Sequence, residues 1–346
     1  MKIREINKSR QSNLELLRCI LMFMLLILHF NGIALKYPVT SEELNLNFLS
    51  GMSQLAIESF TVIVVNCFVL ISGYFGIKMN PRKVVSLYLQ CLFYSILALL
   101  VLHPLPDITQ KQLFFSFLVF SNSPLWFITC YVGLLLFAPV LNKALESISL
   151  KEHLYFICLL TILNCYLGWL WKAEMNVIGY STMQFVYIYV LGRYLRKIDL
   201  NNVKRKRLYL ITGYILSGLI NLLMAYIAIE AGWGQHADLH VFAYNNPLVI
   251  LSSCFFMLLF TTFNIQSNWI NRIASSSLAV YIFHMYFWDI IRRQIVIQAG
   301  ELSTGLFLLW AVCAICAIYI LAILVDKVRM FIMRPVEKVI GRHLKV

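Results

Sequence analysis

Residues 14–32 read LELLRCILMFMLLILHFNG. This apolar stretch is long enough to cross a bilayer as one helix, because a transmembrane helix needs about 20 such residues. It nevertheless contains Glu15, Arg18 and His29. A charge at the centre of a membrane helix costs about 2.5–3.5 kcal/mol on insertion scales, so such residues usually face protein or a wet cavity. The stretch therefore predicts a membrane-spanning helix with a polar face turned into the protein.

Arg18 and His29 lie eleven residues apart, which is almost a whole number of helical turns. The two side chains should share one face of the helix, separated along its axis by roughly 16 Å. Glu15 is three residues from Arg18 and neighbours it on this face, while Met22 and Leu25 make the interval apolar. A simpler interpretation stays open, in which Glu15 and Arg18 lie in the headgroup layer and His29 is a structural histidine.

The composition excludes a soluble domain. Of the 346 residues, 60% are hydrophobic and only 13% are charged, and the mean hydropathy is +0.77. These values are typical of a polytopic membrane protein, and we expect one integral membrane domain over residues 1–346. The net charge of +13 indicates membrane topology and contact with anionic lipid headgroups rather than binding to nucleic acid.

Apolar segments along the chain predict an all-α protein with about ten transmembrane helices. The segment 112–120 is too short to span and is predicted to lie at the interface or to re-enter the membrane. The ten predicted spans are 14–34, 55–76, 84–103, 123–145, 153–171, 176–195, 207–230, 246–264, 273–297 and 303–330.

The lysines and arginines predict the orientation. If the N-terminus is cytoplasmic, the outer side keeps few of the 29 basic residues, namely Lys36, Lys111, Lys172, Arg292 and Arg293. Such a bias favours cytoplasmic positions for both termini. Arg18 then lies near the cytoplasmic face, and His29 lies in the outer half of the first span.

The second predicted span carries Glu58, Asn66 and the pair Ser72-Gly73. The pair predicts a close approach of another helix or of a ligand to the backbone, and helix packing is the favoured interpretation. Lys78, Arg82 and Lys83 follow on the same side as Arg18. They are either ordinary positive-inside anchors or a cytoplasmic clamp for phosphate groups, to which arginine offers bidentate donors.

Further polar and aromatic candidates lie in later spans. Trp126 fits an outer membrane interface, and His284 lies near the middle of the ninth span. Asp289 follows five residues later and could pair with Arg292 or Arg293 on one helix face.

We predict no metal site. His236, Asp238 and His240 alternate in an outer loop and could ligate a metal, but an exposed polar loop is the favoured interpretation. Cys313 and Cys316 form a CxxC inside an apolar helix without a second ligand pair, so they are interpreted as small packing residues.

Several of these stretches together resemble the acyltransferase-3 family of integral membrane acyltransferases. The resemblance rests on Arg18 and His29 within NLELLR…LILHF, on CFVLISGYF (67–75), on PLWFITCYVGLLLFAPVLN (124–142) and on SLAVYIFH (277–284). The chain is most similar to members that modify cell-surface polysaccharides. One position differs, because the family often has an Arg-x-x-Arg pair after the second span and Arg82-Lys83 is the nearest match here.

The resemblance implies an O-acetyltransferase of a bacterial cytoplasmic membrane. It implies acetyl-CoA as the cytoplasmic donor, an acceptor hydroxyl on a surface or lipid-linked sugar, and essential roles for Arg18 and His29. The residues fit this chemistry, because a neutral imidazole can take the proton of a hydroxyl that attacks a thioester, or can itself carry the acetyl group. Arg18, Lys78, Arg82 and Lys83 would bind the phosphates of CoA. The predicted supporting residues are Glu15, Glu58, Asn66, Ser72, Trp126, His284 and Asp289.

A transporter or flippase for a lipid-linked sugar is the alternative. Ten spans, basic mouths and buried polar residues would suit transport as well, but transport needs no thioester chemistry. Membrane lipids are expected partners in either case, and the formation of a homo-oligomer is left open.

Overall fold

The computed structural model describes residues 11–121, 124–170 and 176–343, without the side chains of Asp238 and residues 337–343. Lys172 and the Asp238 side chain, both part of the predictions above, therefore lie outside the described residues. The α-helices are α1 (Ser12–Leu28), α2 (Ser41–Leu46), α3 (Phe48–Thr61), α4 (Val64–Phe75), α5 (Pro81–Leu102), α6 (Gln110–Phe117), α7 (Trp126–Ser147), α8 (Leu150–Thr161), α9 (Leu167–Trp169), α10 (Thr182–Leu195), α11 (Lys206–Glu230), α12 (Ala237–His240), α13 (Pro247–Thr261), α14 (Asn268–Ala274), α15 (Ser277–Tyr286), α16 (Trp288–Glu301) and α17 (Thr304–His343).

Every regular element in these residues is helical, so the predicted all-α polytopic membrane fold is confirmed. Within the described ranges, seven helical segments are long and apolar enough to cross a membrane. The count of about ten spans is not confirmed, since α10 and α13 have only 14 and 15 residues and the predicted ninth span breaks at Phe287. The seven segments are Ser12–Leu35, Phe48–Phe75, Pro81–Leu102, Trp126–Ser147, Leu150–Trp169, Lys206–Glu230 and Thr304–Val336.

Helix α1 is the central helix of the bundle. It packs against α3, α4, α13, α14, α15 and α17, and Leu14, Leu17 and Leu21 are fully buried. The α-helix ends at Leu28 and continues as a π-helical segment, His29–Leu35. A π-helical turn inserts an extra residue per turn and is frequent at functional sites. The first polar residue of this wider turn is His29.

Helices α4 and α10 cross in close contact at a pair of glycines. A Cβ atom built on Gly73 would meet the backbone carbonyl oxygen of Tyr189 and would lie 3.1 Å from the Cα of Gly192. Gly73 therefore serves helix packing, which was the favoured interpretation of the Ser72-Gly73 pair. Two small residues let the backbones approach closely enough for dispersion contacts along both helices.

A hydrogen bond from Ser276 to a buried ion pair within α17 ties this helix to the segment before α15. The Nε of Arg329 donates to Asp326 at 2.8 Å, and the hydroxyl of Ser276 donates to the other Asp326 oxygen at 2.8 Å. Both charged residues are buried. Because both charges lie within α17, the ion pair neutralises them inside the protein, and the hydrogen bond from Ser276 joins the helix to another segment.

One interpretation of the sequence is wrong. Cys313 and Cys316 are exposed on α17, so they are not packing residues inside the protein. Their face of α17 is apolar, with Leu309, Val312 and Ile320 exposed beside them, as expected for a surface in contact with lipid chains. Hydropathy alone predicted burial here, but in a membrane it does not distinguish a lipid-facing side chain from a buried one.

We expect Gly73→Ala to lower the thermal unfolding temperature of the detergent-solubilised protein. Its methyl group would displace the Tyr189 backbone, and overpacking typically costs about 1–3 kcal/mol. Gly300→Ala in α16 is the matched control, because nothing lies within 4 Å of its Cβ position. This control should be neutral or stabilising, and equal melting temperatures for both variants would contradict the close crossing.

Candidate functional site

A cavity of about 470 Å³ runs beside α1. It is lined by Arg18, Met22, Leu25, His29 and Ile33, which follow one another at helical spacing. The face predicted from the eleven-residue interval between Arg18 and His29 is therefore a cavity wall. The volume of this cavity is within the range of about 300–1,000 Å³ that small-molecule sites occupy.

A second, smaller cavity of about 190 Å³ also touches His29. Glu58, Gly32 and Tyr37 contribute to its lining. Glu58 is buried, and its carboxylate accepts a hydrogen bond of 2.9 Å from the side-chain amide of Asn31. His29 is thus shared by two cavities, with Arg18 lining the larger one and Glu58 the smaller.

His284 is the direct partner of His29. The Nε2 of His284 lies 3.1 Å from the Nδ1 of His29, although 255 residues separate them in the chain. The Nδ1 of His284 lies 2.9 Å from the backbone oxygen of Val280, which can only accept a hydrogen bond. The Nδ1 of His284 therefore carries the proton.

This contact assigns the tautomer of both rings. With its proton on Nδ1, a neutral His284 presents a lone pair on Nε2, so Nδ1 of His29 is the donor between the rings. The lone pair of His29 is then on Nε2. In this form, Nε2 of His29 can accept a proton or attack a carbonyl carbon. At the same time, Nδ1 of His29 donates its hydrogen bond to His284.

A break in the ninth predicted span brings a further ring to this pair. Helix α15 ends at Tyr286 and α16 begins at Trp288. The indole of Trp288 meets the ring of His29 edge-on, with centroids 5.5 Å apart. His29 is therefore held by a hydrogen bond from one side and an aromatic contact from another.

At the other end of the larger cavity, Arg18 pairs with Glu15 as the spacing predicted. The Nη1 of Arg18 lies 2.8 Å from the Glu15 carboxylate, and its guanidinium lies 5.9 Å from the ring centre of Phe75. The Arg18 side chain keeps 30% of its exposure, whereas that of Glu15 keeps 10%. The ion pair uses one side of the guanidinium fork, and the partly exposed remainder lines the cavity.

The three basic residues at the start of α5 are exposed and do not line the cavity. These residues are Lys78, Arg82 and Lys83. Leu87, one turn after Lys83 on the same helix face, does line it. Lys83 therefore lies on the face of α5 that continues the cavity wall. Within the described residues, the structure shows no contact between Lys78 and the cavity.

Trp126 belongs to a stack of three aromatic rings in the wall of the larger cavity. Its ring lies 4.0 Å from that of Tyr180 at an angle of 4°, and Tyr180 lies 5.4 Å from Tyr244. Tyr180 and Tyr244 line both cavities. The sequence analysis found Trp126 but missed the two tyrosines, which lie in short connecting segments without a periodic pattern.

Asn66 supports this stack from behind. Its amide and that of Gln184 both donate to the backbone oxygen of Tyr244, at 2.8 and 2.9 Å. Asn245 donates to the backbone oxygen of Asn176 at 2.7 Å and fixes the neighbouring segment. The sequence analysis named Asn66 but missed Gln184 and Asn245, although polar amides beside apolar stretches were the available sign.

Two other predicted residues differ in their placement. Ser72 lines the larger cavity, and its hydroxyl donates to the backbone oxygen of Phe68 at 3.0 Å. Asp289 is exposed in the first turn of α16, and in the described part of the chain it forms no ion pair with Arg292 or Arg293. The break at Phe287 places Asp289 at a helix N-terminus, where the backbone N–H groups favour a carboxylate.

Among the described residues, no group of three or more His, Cys, Asp or Glu side chains is arranged to hold a metal. His240 instead pairs with Trp169. Its Nδ1 lies 3.1 Å from the Trp169 backbone oxygen, and the Trp169 indole donates to the His240 backbone oxygen at 2.6 Å. This reciprocal contact joins α12 to the end of α9.

The fold and the two cavities define a multi-pass membrane protein with a buried histidine pair between its helices. The family model of acyltransferase-3, described as an acyltransferase domain, matches residues 11–327, nearly the whole chain. The chain therefore belongs to the acyltransferase-3 family of membrane acyltransferases. Searches of curated proteins and of solved structures gave no match. Family membership favours acyl transfer over transport.

We expect His284→Ala to lower kcat for acyl transfer at least about tenfold, because His29 loses the acceptor that selects its tautomer. His284→Gln should recover part of this loss, since the Gln side-chain oxygen can accept from Nδ1 of His29. The KM for the acyl donor should change little in either variant. A merely structural role would instead lower the melting temperature and would not distinguish Gln from Ala.

Proposed function

We propose that this protein transfers an acetyl group from cytoplasmic acetyl-CoA to a hydroxyl of a cell-surface or lipid-linked polysaccharide sugar. The observation that carries the proposal is the position of His29, which is shared by the cavity that contains Arg18 and the cavity that contains Glu58. A donor reaching His29 from one side and an acceptor from the other would meet at one imidazole.

The donor side fits the shape and charge of CoA. Arg18 supplies a guanidinium for phosphate oxygens, and Lys83 continues the same wall toward the exposed start of α5. Between Arg18 and His29 the wall is apolar and extends over roughly 16 Å of helix. A narrow apolar passage of this kind suits the long pantetheine arm, which would carry the thioester to the histidine.

His29 would act through Nε2. In one route, Nε2 takes the proton of the acceptor hydroxyl while the hydroxyl oxygen attacks the thioester carbonyl. The imidazolium of His29 then protonates the departing CoA sulfur. In the other route, Nε2 attacks the thioester carbonyl and CoA leaves as its thiolate. The hydroxyl oxygen then attacks the acetyl group on Nε2, the bond from Nε2 to the acetyl group breaks, and the hydroxyl proton passes to the CoA thiolate. In both routes His284 shares the positive charge, through the hydrogen bond from Nδ1 of His29.

Cytoplasmic acetyl-CoA and an outer acceptor together imply a bacterial cytoplasmic membrane. The excess of basic residues in the predicted cytoplasmic segments supports this orientation. Transport of a lipid-linked sugar would need no thioester chemistry, whereas the histidine pair supplies an imidazole with a defined lone pair for it.

We expect His29→Gln to reduce acetyl transfer at least about 100-fold, because glutamine cannot cycle a proton. The purified protein in nanodiscs would be given radiolabelled acetyl-CoA and the membrane glycan of the source cell. His153→Gln is the matched control, because His153 is also buried but lies outside both cavities and contacts the Val190 backbone oxygen. Near-normal turnover by well-folded His29→Gln would refute the proposed mechanism.

We expect Arg18→Lys to raise the KM for acetyl-CoA about tenfold, the equivalent of losing one charged hydrogen bond of about 1.5 kcal/mol. Lysine keeps the charge beside Glu15 but cannot bind phosphate in a bidentate way. Arg82→Ala should also raise this KM. Arg293→Lys on exposed α16 is the control, and unchanged kinetics in all three variants would make the inner basic residues topological anchors only.

A further inference from the structure

A third cavity lies on the far side of Gly32 from the histidine pair. This outer groove has a volume of about 710 Å³. Gly32 and Tyr37 line both the groove and the small cavity that touches His29. The three cavities therefore follow one another through shared residues, from Arg18 past His29 to the outer groove.

The groove is built from the segment after the π-helical turn, from α2 and from the start of α3. Gly51 packs against Leu44 and Pro38 and forms its floor. Ser41 anchors α2 to the end of α11, since its hydroxyl lies 3.3 Å from the Ile229 backbone oxygen. The groove is thus held by contacts to the bundle.

Its lining is polar but nearly neutral. Side chains that can hydrogen-bond alternate with apolar surface from Tyr37, Pro38 and Leu46. One lysine and one glutamate contribute opposite charges, and the Glu43 carboxylate already accepts from the Val39 N–H at 2.8 Å. The polar lining residues are Lys36, Glu43, Asn47, Ser50, Gln54 and Gln235.

A line of hydrogen bonds connects the groove to the reaction centre. Gln54 donates to the Lys36 backbone oxygen at 3.2 Å, and Asn31 donates both to the Gln54 backbone oxygen and to the Glu58 carboxylate at 2.9 Å. Gly32 keeps the passage open, because a Cβ there would lie 2.7 Å from a Glu58 oxygen. The width of the passage thus depends on the absence of a side chain at Gly32 and on the fixed position of the Glu58 carboxylate.

We propose that the outer groove binds the acceptor as a neutral oligosaccharide, which presents one hydroxyl to His29 past Gly32. The inference rests on the proposed function and adds the acceptor's binding site and charge class. Sugars combine hydroxyl groups with apolar C–H faces, which matches a lining of amides, hydroxyls and apolar side chains. The nearly cancelling charges give no means of selecting an anionic sugar.

The test compares two serines on α3. Ser50 lines the groove and Ser53, three residues later, does not, although both are exposed. Ser50→Trp should raise the KM for the membrane glycan at least about tenfold and leave the KM for acetyl-CoA unchanged, because the indole fills only the acceptor side. Ser53→Trp should behave as the wild type. Gln235→Trp blocks the groove from another element and replaces Ser50→Trp if that variant does not fold.

The labelled glycan is then released from any lipid carrier and separated by anion exchange. Label in the unbound, neutral fraction supports the proposal, and label only in the retained fraction overturns the neutral class. If the wild type transfers label but Ser50→Trp and Gln235→Trp both match Ser53→Trp, the groove assignment is wrong. If the wild type transfers no label from acetyl-CoA to glycan, the proposed function itself fails.

Discussion

A polar side chain inside a membrane must find its partner within the protein, because lipid chains offer none. His29 meets this requirement through His284, Asn66 through the backbone of Tyr244, and Arg329 through Asp326. The contacts of His29 and Asn66 join segments that are distant in the chain, and Asp326 also accepts from Ser276, which joins α17 to the segment before α15. The buried polar groups therefore both stabilise the arrangement of the helices and place the imidazole of His29 where two cavities meet.

The histidine pair shows how the requirement for a partner can determine which nitrogen of a buried imidazole carries the proton. A backbone oxygen at Val280 fixes the proton on one ring, and that ring in turn fixes the proton on the other. The selection uses a backbone oxygen and a second imidazole in the place where a carboxylate could orient the ring. Under the proposed function, the tautomer would be set before substrates bind, and the lone pair on Nε2 would already be in place when a carbonyl or a hydroxyl arrives.

The two ends of the passage differ in chemistry in a way that suits two different substrates. The Arg18 end is positive and leads into an apolar wall, whereas the outer groove is polar with nearly balanced charges. The aromatic stack of Trp126, Tyr180 and Tyr244 lines the cavity that contains Arg18 and His29. Hydrogen bonds from the buried amides hold this stack in place. Rigid walls favour binding of the two substrates in a defined orientation, since the protein loses less conformational entropy when they bind.

The sequence by itself determined the membrane fold and the polar face of α1, because hydropathy and the 3.6-residue period are properties of the local chain. It placed Arg18 and His29 on one face and identified His284 as a buried histidine, but it could not pair two residues 255 positions apart. Only the tertiary structure decided that pairing, the stack around Trp126 and the exposure of Asp289 and Cys313. Those features depend on which helices meet and on where a helix breaks, and apolar side chains look alike in sequence whether they face lipid or protein.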